Sequence, residues 1–135
     1  MSQVKDAMVP EPTTLSAAAN AQEAGRLFAD TPEMRAVFVS DDDGTLIGVI
    51  TRKTLVREVV AAGLDPRDVV LRDIAEPPHY TLDASLPLED GFRMLEELDL
   101  ERVPVLEEER LVGVLSRAVV QRRLAEDEPP TVEVS

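Results

Sequence analysis

The sequence predicts an α+β fold in which a strand–helix–strand–strand–helix unit occurs twice. The main observation is a repeated segment, LIGVITR at residues 46–52 and LVGVLSR at residues 111–117. Each copy is a short aliphatic run, typical of a buried strand, and is followed by Thr51 or Ser116, whose hydroxyl can cap a helix. Each copy therefore predicts a strand that leads directly into a helix, and the backbone N–H groups at such a helix start favour an anion.

A second observation is that matching residues continue upstream of this segment. At a constant offset of 67 positions, the matching pairs are Asp6 and Asp73, Pro10 and Pro77, Thr14 and Thr81, Ala17 and Ala84, Arg26 and Arg93, and Arg35 and Arg102. From Leu46 and Leu111 onward the offset is 65, so the second copy lacks two residues in a loop, where deletions are tolerated. We therefore assign residues 1–66 to a first repeat with a short linker, 67–125 to a second repeat and 126–135 to a flexible tail.

Capping and turn residues separate the elements of the first repeat. Asn20 and Glu23 form a capping box at a helix start, Asp43 and Gly44 are a favoured hairpin pair, and Gly63 suits the end of the last helix. The pattern predicts a helical turn at residues 4–8, strands at 13–15, 36–39 and 46–50, and helices that begin at Asn20 and Thr51, the second with apolar positions Leu55, Val56, Val59 and Val60.

The second repeat follows the same order after a connection that Pro66 keeps from being helical. Residues 80–82 are a predicted strand, and residues 103–106 and 111–115 are a predicted hairpin. Pro87 begins a helix with Leu88, Phe92, Leu95 and Leu98 inward, and Ser116 caps a last helix with Val119, Val120 and Leu124 inward.

The composition excludes several classes of function. Of 135 residues, 44% are apolar and 30% charged, which is typical of a globular chain. The net charge of −13 argues against binding to a nucleic-acid backbone or an anionic membrane. The absence of cysteine excludes disulfides, thiol catalysis and zinc–thiolate sites. Without a signal pattern or a long apolar run, we expect a soluble, cytoplasmic protein.

The whole pattern resembles a tandem pair of cystathionine-β-synthase (CBS) domains, the Bateman module, with no other domain attached. The resemblance covers residues 4–125 and rests on VKDAM at 4–8, VPVL at 103–106, and the two Gly-x-x-Thr/Ser segments. It implies two βαββα repeats packed through their sheets with pseudo-twofold symmetry. It also implies a homodimer in which four repeats form a flat disc.

The same resemblance implies a ligand and a set of binding residues. CBS pairs generally sense adenosine-containing ligands (AMP, ADP, ATP or S-adenosylmethionine) in clefts between the repeats, and no further cofactor is required. The family pattern places Thr or Ser near phosphate or ribose, and an Asp three residues later on the ribose hydroxyls. Thr51 and Ser116 occupy the hydroxyl positions, whereas Thr54 and Val119 occupy the Asp positions. Thr54 can make one hydrogen bond and Val119 none, which weakens the ribose clamp.

Two arginines complete the implied phosphate site. Arg35 and Arg102 precede the middle strands, where family members often place an arginine on phosphate, and a guanidinium fork fits phosphate oxygens. Solvation of a strand start is the alternative for both. The remaining candidates are Thr14 and Thr81, next to the implied adenine site or ordinary strand residues, and Arg52 and Arg117, facing an anion or solvating a helix start.

No catalytic or metal-binding residue is predicted. The acidic turn at residues 41–43 lacks the bidentate Glu of a calcium loop. His79 is the only histidine and has no nucleophile partner in the sequence.

Two hypotheses for the function therefore remain, and an enzyme is disfavoured. The first is a ligand-sensing regulatory module that acts on another protein in trans. The second is a ligand-free homodimeric scaffold, which the missing Asp favours and which would dimerise through the helices around residues 55–60 and 119–124.

Overall fold

Two small mixed β-sheets and the helices packed on them form the fold in the computed structural model, which describes residues 2–127. The helices are α1 Val4–Ala7, α2 Ala21–Asp30, α3 Arg52–Leu55, α4 Leu71–Ile74, α5 Leu88–Glu97 and α6 Arg117–Asp127; the strands are β1 Val9–Pro10, β2 Thr14–Ser16, β3 Ala36–Ser40, β4 Leu46–Thr51, β5 Leu82–Asp83, β6 Arg102–Glu107 and β7 Arg110–Ser116. The predicted α+β class is confirmed. Residues 128–135 of the predicted tail lie outside the described residues, and α6 includes residues 126 and 127.

The described chain divides into two compact units that exchange short segments. Unit 1 comprises residues 2–10, 80–107 and 112–127, and unit 2 comprises residues 11–79 and 108–111. Residues 2–10, which begin the first repeat in the sequence, therefore belong structurally with the second repeat.

Unit 2 is built on a three-stranded sheet in the order β2-β3-β4, with β2 parallel and β4 antiparallel to β3. The predicted capping box at the start of α2 is confirmed, since Asn20 accepts from the N–H of Glu23 and the Glu23 carboxylate accepts from the N–H of Asn20. Gly44 closes the β3–β4 turn with a φ of 90°, a region that favours glycine. The core of this unit is aliphatic apart from one aromatic ring and contains Ala17, Ala24, Phe28, Val37, Val39, Ile50 and Leu71.

Unit 1 is built on a four-stranded sheet in the order β1-β7-β6-β5. Strand β1 is antiparallel to β7, and β5 is parallel to β6. A two-residue turn, Glu108 and Glu109, joins β6 to β7 with positive φ at both residues. The core consists of small and aliphatic side chains, including Val4, Leu95, Val103, Val105, Leu115 and Val120.

The segment that leads into each repeat pairs through backbone hydrogen bonds with a strand of the other repeat. In unit 1, β1 pairs with β7, so that Pro10 lies opposite Gly113. In unit 2, Val49 and Glu76 exchange two backbone hydrogen bonds of 2.7 and 2.9 Å. The pairing of β1 with β7 and of Glu76 with Val49 was not predicted from the sequence, because pairings of one or two residues have no recognisable sequence period.

The structure corrects several predicted inward positions. Val56 and Val60 are exposed, because α3 continues into a π-helical segment, Val56–Val60, whose buried side is formed by Val59. Leu98 is also exposed, since α5 ends at Glu97 and Leu98 is already its C-cap. The predicted strand at residues 80–82 is shifted to Leu82–Asp83, and Tyr80 is exposed.

Candidate functional site

The candidate residues of the first repeat converge at one end of the unit 2 sheet. Ala36 pairs with Thr51 across β3 and β4, so Arg35 lies beside the end of β4. Thr14 begins β2 and pairs with Phe38, two residues further along β3. Thr14 and Arg35 are exposed and Thr51 is half-buried. Thr14 and Thr51 thus lie on the two edge strands of this sheet, β2 and β4, and Arg35 directly precedes the central strand β3.

Thr51 and Thr54 form a reciprocal capping box at the start of α3. The Thr51 hydroxyl accepts from the N–H of Thr54 at 3.1 Å, and the Thr54 hydroxyl accepts from the N–H of Thr51 at 3.2 Å. The two hydroxyl oxygens are 2.9 Å apart. Thr54 is completely buried. At the position where the family pattern has a ribose-binding Asp, the hydroxyl is therefore engaged in holding the helix start.

Arg52 contacts the C-terminal end of α2. Its Nη2 lies 3.1 Å from the carbonyl oxygen of Phe28, and the guanidinium carbon is 5.0 Å from the centre of the Phe28 ring. Further carbonyl oxygens within 3.3 Å belong to Thr31, Pro32 and Met34. A cation at a helix C-terminus compensates the unpaired carbonyls and the helix dipole. Arg52 is therefore a contact between elements, rather than a solvated helix start.

Arg117 has the corresponding role in the second repeat. Its guanidinium donates to the Glu101 carboxylate at 2.5 Å and to the Asp99 carboxylate at 3.3 Å, both in the loop after α5. The hydrogen bond to Glu101 is the main reason that the pKa of Arg117 is raised. The backbone N–H of Arg117 also donates to the Glu101 carbonyl at 2.9 Å. Arg52 thus fastens the start of α3 to the end of α2, and Arg117 fastens the start of α6 to the loop after α5.

The remaining second-repeat candidates occupy one end of the unit 1 sheet. Arg102 begins β6 and is exposed, whereas Ser116 ends β7 and is half-buried. Thr81 is exposed and directly precedes β5. Val119, at the Asp position of the family pattern, is half-buried and has no polar side-chain atom. Among residues 2–127, neither Arg35 nor Arg102 forms an ion pair, so both guanidinium groups are available to an anion.

Sequence reasoning missed an apolar groove in unit 2. The groove has a volume of about 530 Å³ and lies between α2 and the segment from α3 to Pro66. Its lining includes Ala21, Gly25 and Ala29 of α2. Small residues spaced four apart along one helix were the signal for it in the sequence.

The acidic residues of the β3–β4 turn have structural partners. Asp43 accepts from the N–H of Thr45 at 3.0 Å, and this hydrogen bond is the main cause that lowers the pKa of Asp43. Asp41 pairs with Arg72. Across residues 2–127, no group of three or more His, Asp or Glu side chains has an arrangement that could hold a metal ion. Nor does this part of the chain contain a helix long and apolar enough to cross a membrane.

The comparisons with known proteins all indicate the same family. The model of the CBS domain matches residues 4–61 and 71–126. Hypoxic response protein 1 of Mycobacterium tuberculosis is 33% identical over 118 residues, which are 87% of this chain and 78% of that protein. The CBS domain-containing protein YhcV of Bacillus subtilis is 26% identical over 116 residues, which are 86% of this chain and 81% of that protein.

Solved structures agree in fold. Hypoxic Response Protein I, crystallised with two coordinated zinc ions, has a TM-score of 0.75 and 28% identity, with 91% of this chain and 99% of that chain covered. CBSX2, crystallised in complex with AMP, has a TM-score of 0.73 and 25% identity, with 93% of this chain and 98% of that chain covered. The repeated motif, the two mixed sheets and these matches lead to one conclusion: the chain belongs to the CBS domain family and carries two CBS domains in tandem.

Proposed function

We propose that this chain is a regulatory CBS pair that binds an adenosine-containing ligand through its phosphate. The observation that carries the proposal is that Thr14, Thr51 and the exposed Arg35, which forms no ion pair within residues 2–127, lie toward the same end of the unit 2 sheet. The AMP complex of CBSX2, at 25% identity, supports an adenine nucleotide as the ligand. Arg35, and Arg102 in the second repeat, would contact phosphate oxygens, for which a guanidinium has matching geometry.

The residues at the Asp position of the family pattern limit how the ribose of this ligand can be bound. The Thr54 hydroxyl is buried in the capping box, and Val119 offers no acceptor, so neither can hold both ribose hydroxyls. Recognition would then depend on phosphate more than on ribose. We expect AMP, ADP or ATP to bind more tightly than adenosine, and S-adenosylmethionine, which has no phosphate, to bind weakly.

Calorimetric titration with these ligands tests the proposal. Arg35→Ala should weaken AMP binding about tenfold, because it removes a charge-assisted hydrogen bond. Arg67→Ala, at an exposed arginine paired with Asp65 in the connecting segment, is the matched control and should leave the affinity unchanged. Thr54→Asp should tighten AMP binding about tenfold, since a carboxylate can accept ribose hydrogen bonds and an acid three residues after the cap still completes a capping box. Silent titrations with all five ligands, for both the wild-type chain and Thr54→Asp, would rule the proposal out.

A regulatory effect of the ligand requires a second conformation or a second protein. A ligand shifts an equilibrium only by its different affinities for the two states. We propose that a partner protein acts as the receiver in trans, and no catalytic step is part of the proposal.

The alternative is a homodimeric scaffold that binds no nucleotide. The engaged hydroxyl of Thr54, the apolar Val119 and the intramolecular contacts of Arg52 and Arg117 favour it. A dimer by light scattering, combined with melting temperatures that no nucleotide changes, is the expected result for this alternative. The cytoplasmic location predicted from the sequence stays a prediction.

A further inference from the structure

The helices of unit 2 enclose an apolar groove. The groove is lined along α2 by Ala21, Gly25 and Ala29, and on the opposite side by Leu55, Val59 and Leu64. A Cβ atom built on Gly25 meets no atom within 4 Å, so the space above this residue is open. The groove therefore has room for a side chain that unit 2 itself does not supply.

Large apolar side chains are exposed beside this groove. Val56, Val60 and Leu64 are 56%, 71% and 53% exposed, and they follow one another at intervals of four residues. A contiguous exposed apolar surface of this kind marks an interaction site more often than an isolated exposed residue does. Binding of a partner over this surface is favourable because it removes apolar side chains from water.

The corresponding helix of unit 1 has larger side chains at the matching positions. At the offset of 67, Phe92 takes the position of Gly25, and Glu96 takes the position of Ala29. Phe92 is half-buried and packs partly against the unit 1 core. The same helical position is thus empty in one unit and occupied by an aromatic ring in the other.

The charges beside the two faces are complementary as well. Arg26 lines the groove, and Glu89 and Glu96 are exposed on α5. Within residues 2–127, none of these three side chains forms an ion pair, whereas Arg93 on the same face of α5 is paired with Asp90. Contact between two α5 faces would bring carboxylates together, whereas contact between α5 and the groove would place them near Arg26.

We infer that the groove of one copy receives the α5 face of a second copy, with Phe92 of that copy entering the space beside Gly25. The inference rests on the homodimer that the family resemblance implies and that the scaffold alternative requires, and it assigns the orientation of that dimer, which is first repeat against second repeat. Pairing of two grooves would leave an unfilled volume and lose the contacts of its lining, whereas the unlike faces fill each other. A closed dimer repeats this contact through its twofold axis.

Single cysteines distinguish the orientations, because the chain has none of its own. Gly25→Cys and Glu89→Cys, the latter one turn before Phe92, are made in separate preparations. They are then treated with a short bis-maleimide, alone and after mixing. We expect a cross-linked dimer in the mixture and severalfold less in either preparation alone. Cross-linking within each preparation would show that like faces pair and would overturn the inference. A dimer by light scattering that cross-links in no sample would also overturn it, while a monomer would remove the proposed homodimer itself.

Substitutions that alter the fit provide an independent test. Phe92→Ala should raise the dimer dissociation constant about tenfold or more, as expected for a central aromatic side chain. Tyr80→Ala, at another exposed aromatic residue of unit 1, is the control and should leave the constant unchanged. Because Phe92 also packs on its own core, Gly25→Trp is the second variant, since it fills the groove and leaves unit 1 intact. An unchanged dissociation constant for Gly25→Trp would contradict the inference.

Discussion

Gly48 and Gly113, the glycines of the repeated motif, lie where a second segment of the chain crosses a strand. A Cβ atom at Gly48 would lie 2.7 Å from the Glu76 carbonyl oxygen, and one at Gly113 would lie 2.5 Å from the Met8 sulfur and 2.9 Å from the Val9 carbonyl oxygen. Real Cβ atoms do not approach backbone oxygens so closely. A glycine is therefore needed at this position of the motif because another segment of the chain lies close to its backbone. The hydroxyl residue of the same motif caps a helix, so the two residues have different structural roles.

We expect Gly48→Ala to lower the free energy of unfolding by about 1–3 kcal/mol, because the crossing segment is backbone and has to move. Gly25→Ala makes the same chemical change in a helix with open space and should raise stability by about 0.5–1 kcal/mol. Urea denaturation at matched oligomeric state measures both. Equal effects of the two substitutions on the free energy of unfolding would show that the backbone at Glu76 moves away from position 48 at little energetic cost.

A second residue-scale prediction concerns Asp83 and pH. Its carboxylate accepts from the hydroxyl of Ser85 at 2.6 Å and from the N–H of Ser85 at 2.8 Å, and these bonds lower the pKa of Asp83. A carboxyl group with a lower pKa in the folded state contributes stability above its unfolded pKa, and that contribution is lost as the pH falls through the folded pKa. Asp83→Asn should therefore flatten the decrease in melting temperature below about pH 4. Asp42→Asn, at an exposed aspartate of the β3–β4 turn, should leave the slope unchanged; equal slopes for all three proteins would refute the assignment.

At the scale of elements, sequence reasoning succeeded where the determining contacts are local. The capping box at Asn20, the helix cap at Thr51 and the two hairpins depend on residues within a few positions of each other, and their residue types indicate them directly. It failed for β1 and for the role of Arg52, because their partners are far away in the sequence. Arg52 contacts the carbonyl of Phe28, which is 24 residues earlier. No local pattern encodes such a contact.

The contact between Arg52 and the end of α2 predicts a stability effect. Arg52→Met keeps the aliphatic stem and removes the donors, so it should lower the free energy of unfolding by about 1–2 kcal/mol. Lys53→Met, at the next and exposed position, should change it by less than about 0.5 kcal/mol. Thermal and urea denaturation provide the comparison. If the two variants are equally stable, Arg52 is a solvated residue, as the alternative from the sequence proposed.

The β6–β7 turn carries strain that a substitution can remove. Glu109 has a φ of 68°, a region that glycine adopts without the steric cost that other residues have. Glu109→Gly should therefore raise the free energy of unfolding by about 1 kcal/mol. Glu107→Gly, two residues earlier at the end of β6, should lower it, since glycine weakens a strand. A destabilising effect at both positions would show that the turn is not strained by its side chain.

At the scale of the whole molecule, the duplicated fold depends on the order of residues in the sequence, whereas the net charge depends only on the composition. The repeats determine the two sheets and the positions of Arg35 and Arg102, and these were predictable because duplication doubles every signal. The orientation of unlike helix faces was not predictable from either repeat alone, since it depends on differences such as Gly25 against Phe92. The net charge follows from composition and acts on the folded chain as a whole.

The last prediction concerns this charge. With 27 acidic and 14 basic side chains, repulsion between carboxylates opposes the compact state, and the exposed ion pairs contribute only about 0–1 kcal/mol each. Salt screens both terms, but the excess of like charge makes repulsion the larger one. An increase from about 0.01 to 0.1 M sodium chloride shortens the screening length from about 30 to 10 Å, and the melting temperature should rise by several degrees at fixed protein concentration. A neutral osmolyte of equal osmolarity controls for exclusion from the surface. A melting temperature that falls with salt would show that the ion pairs, such as Arg57 with Glu76, outweigh the repulsion.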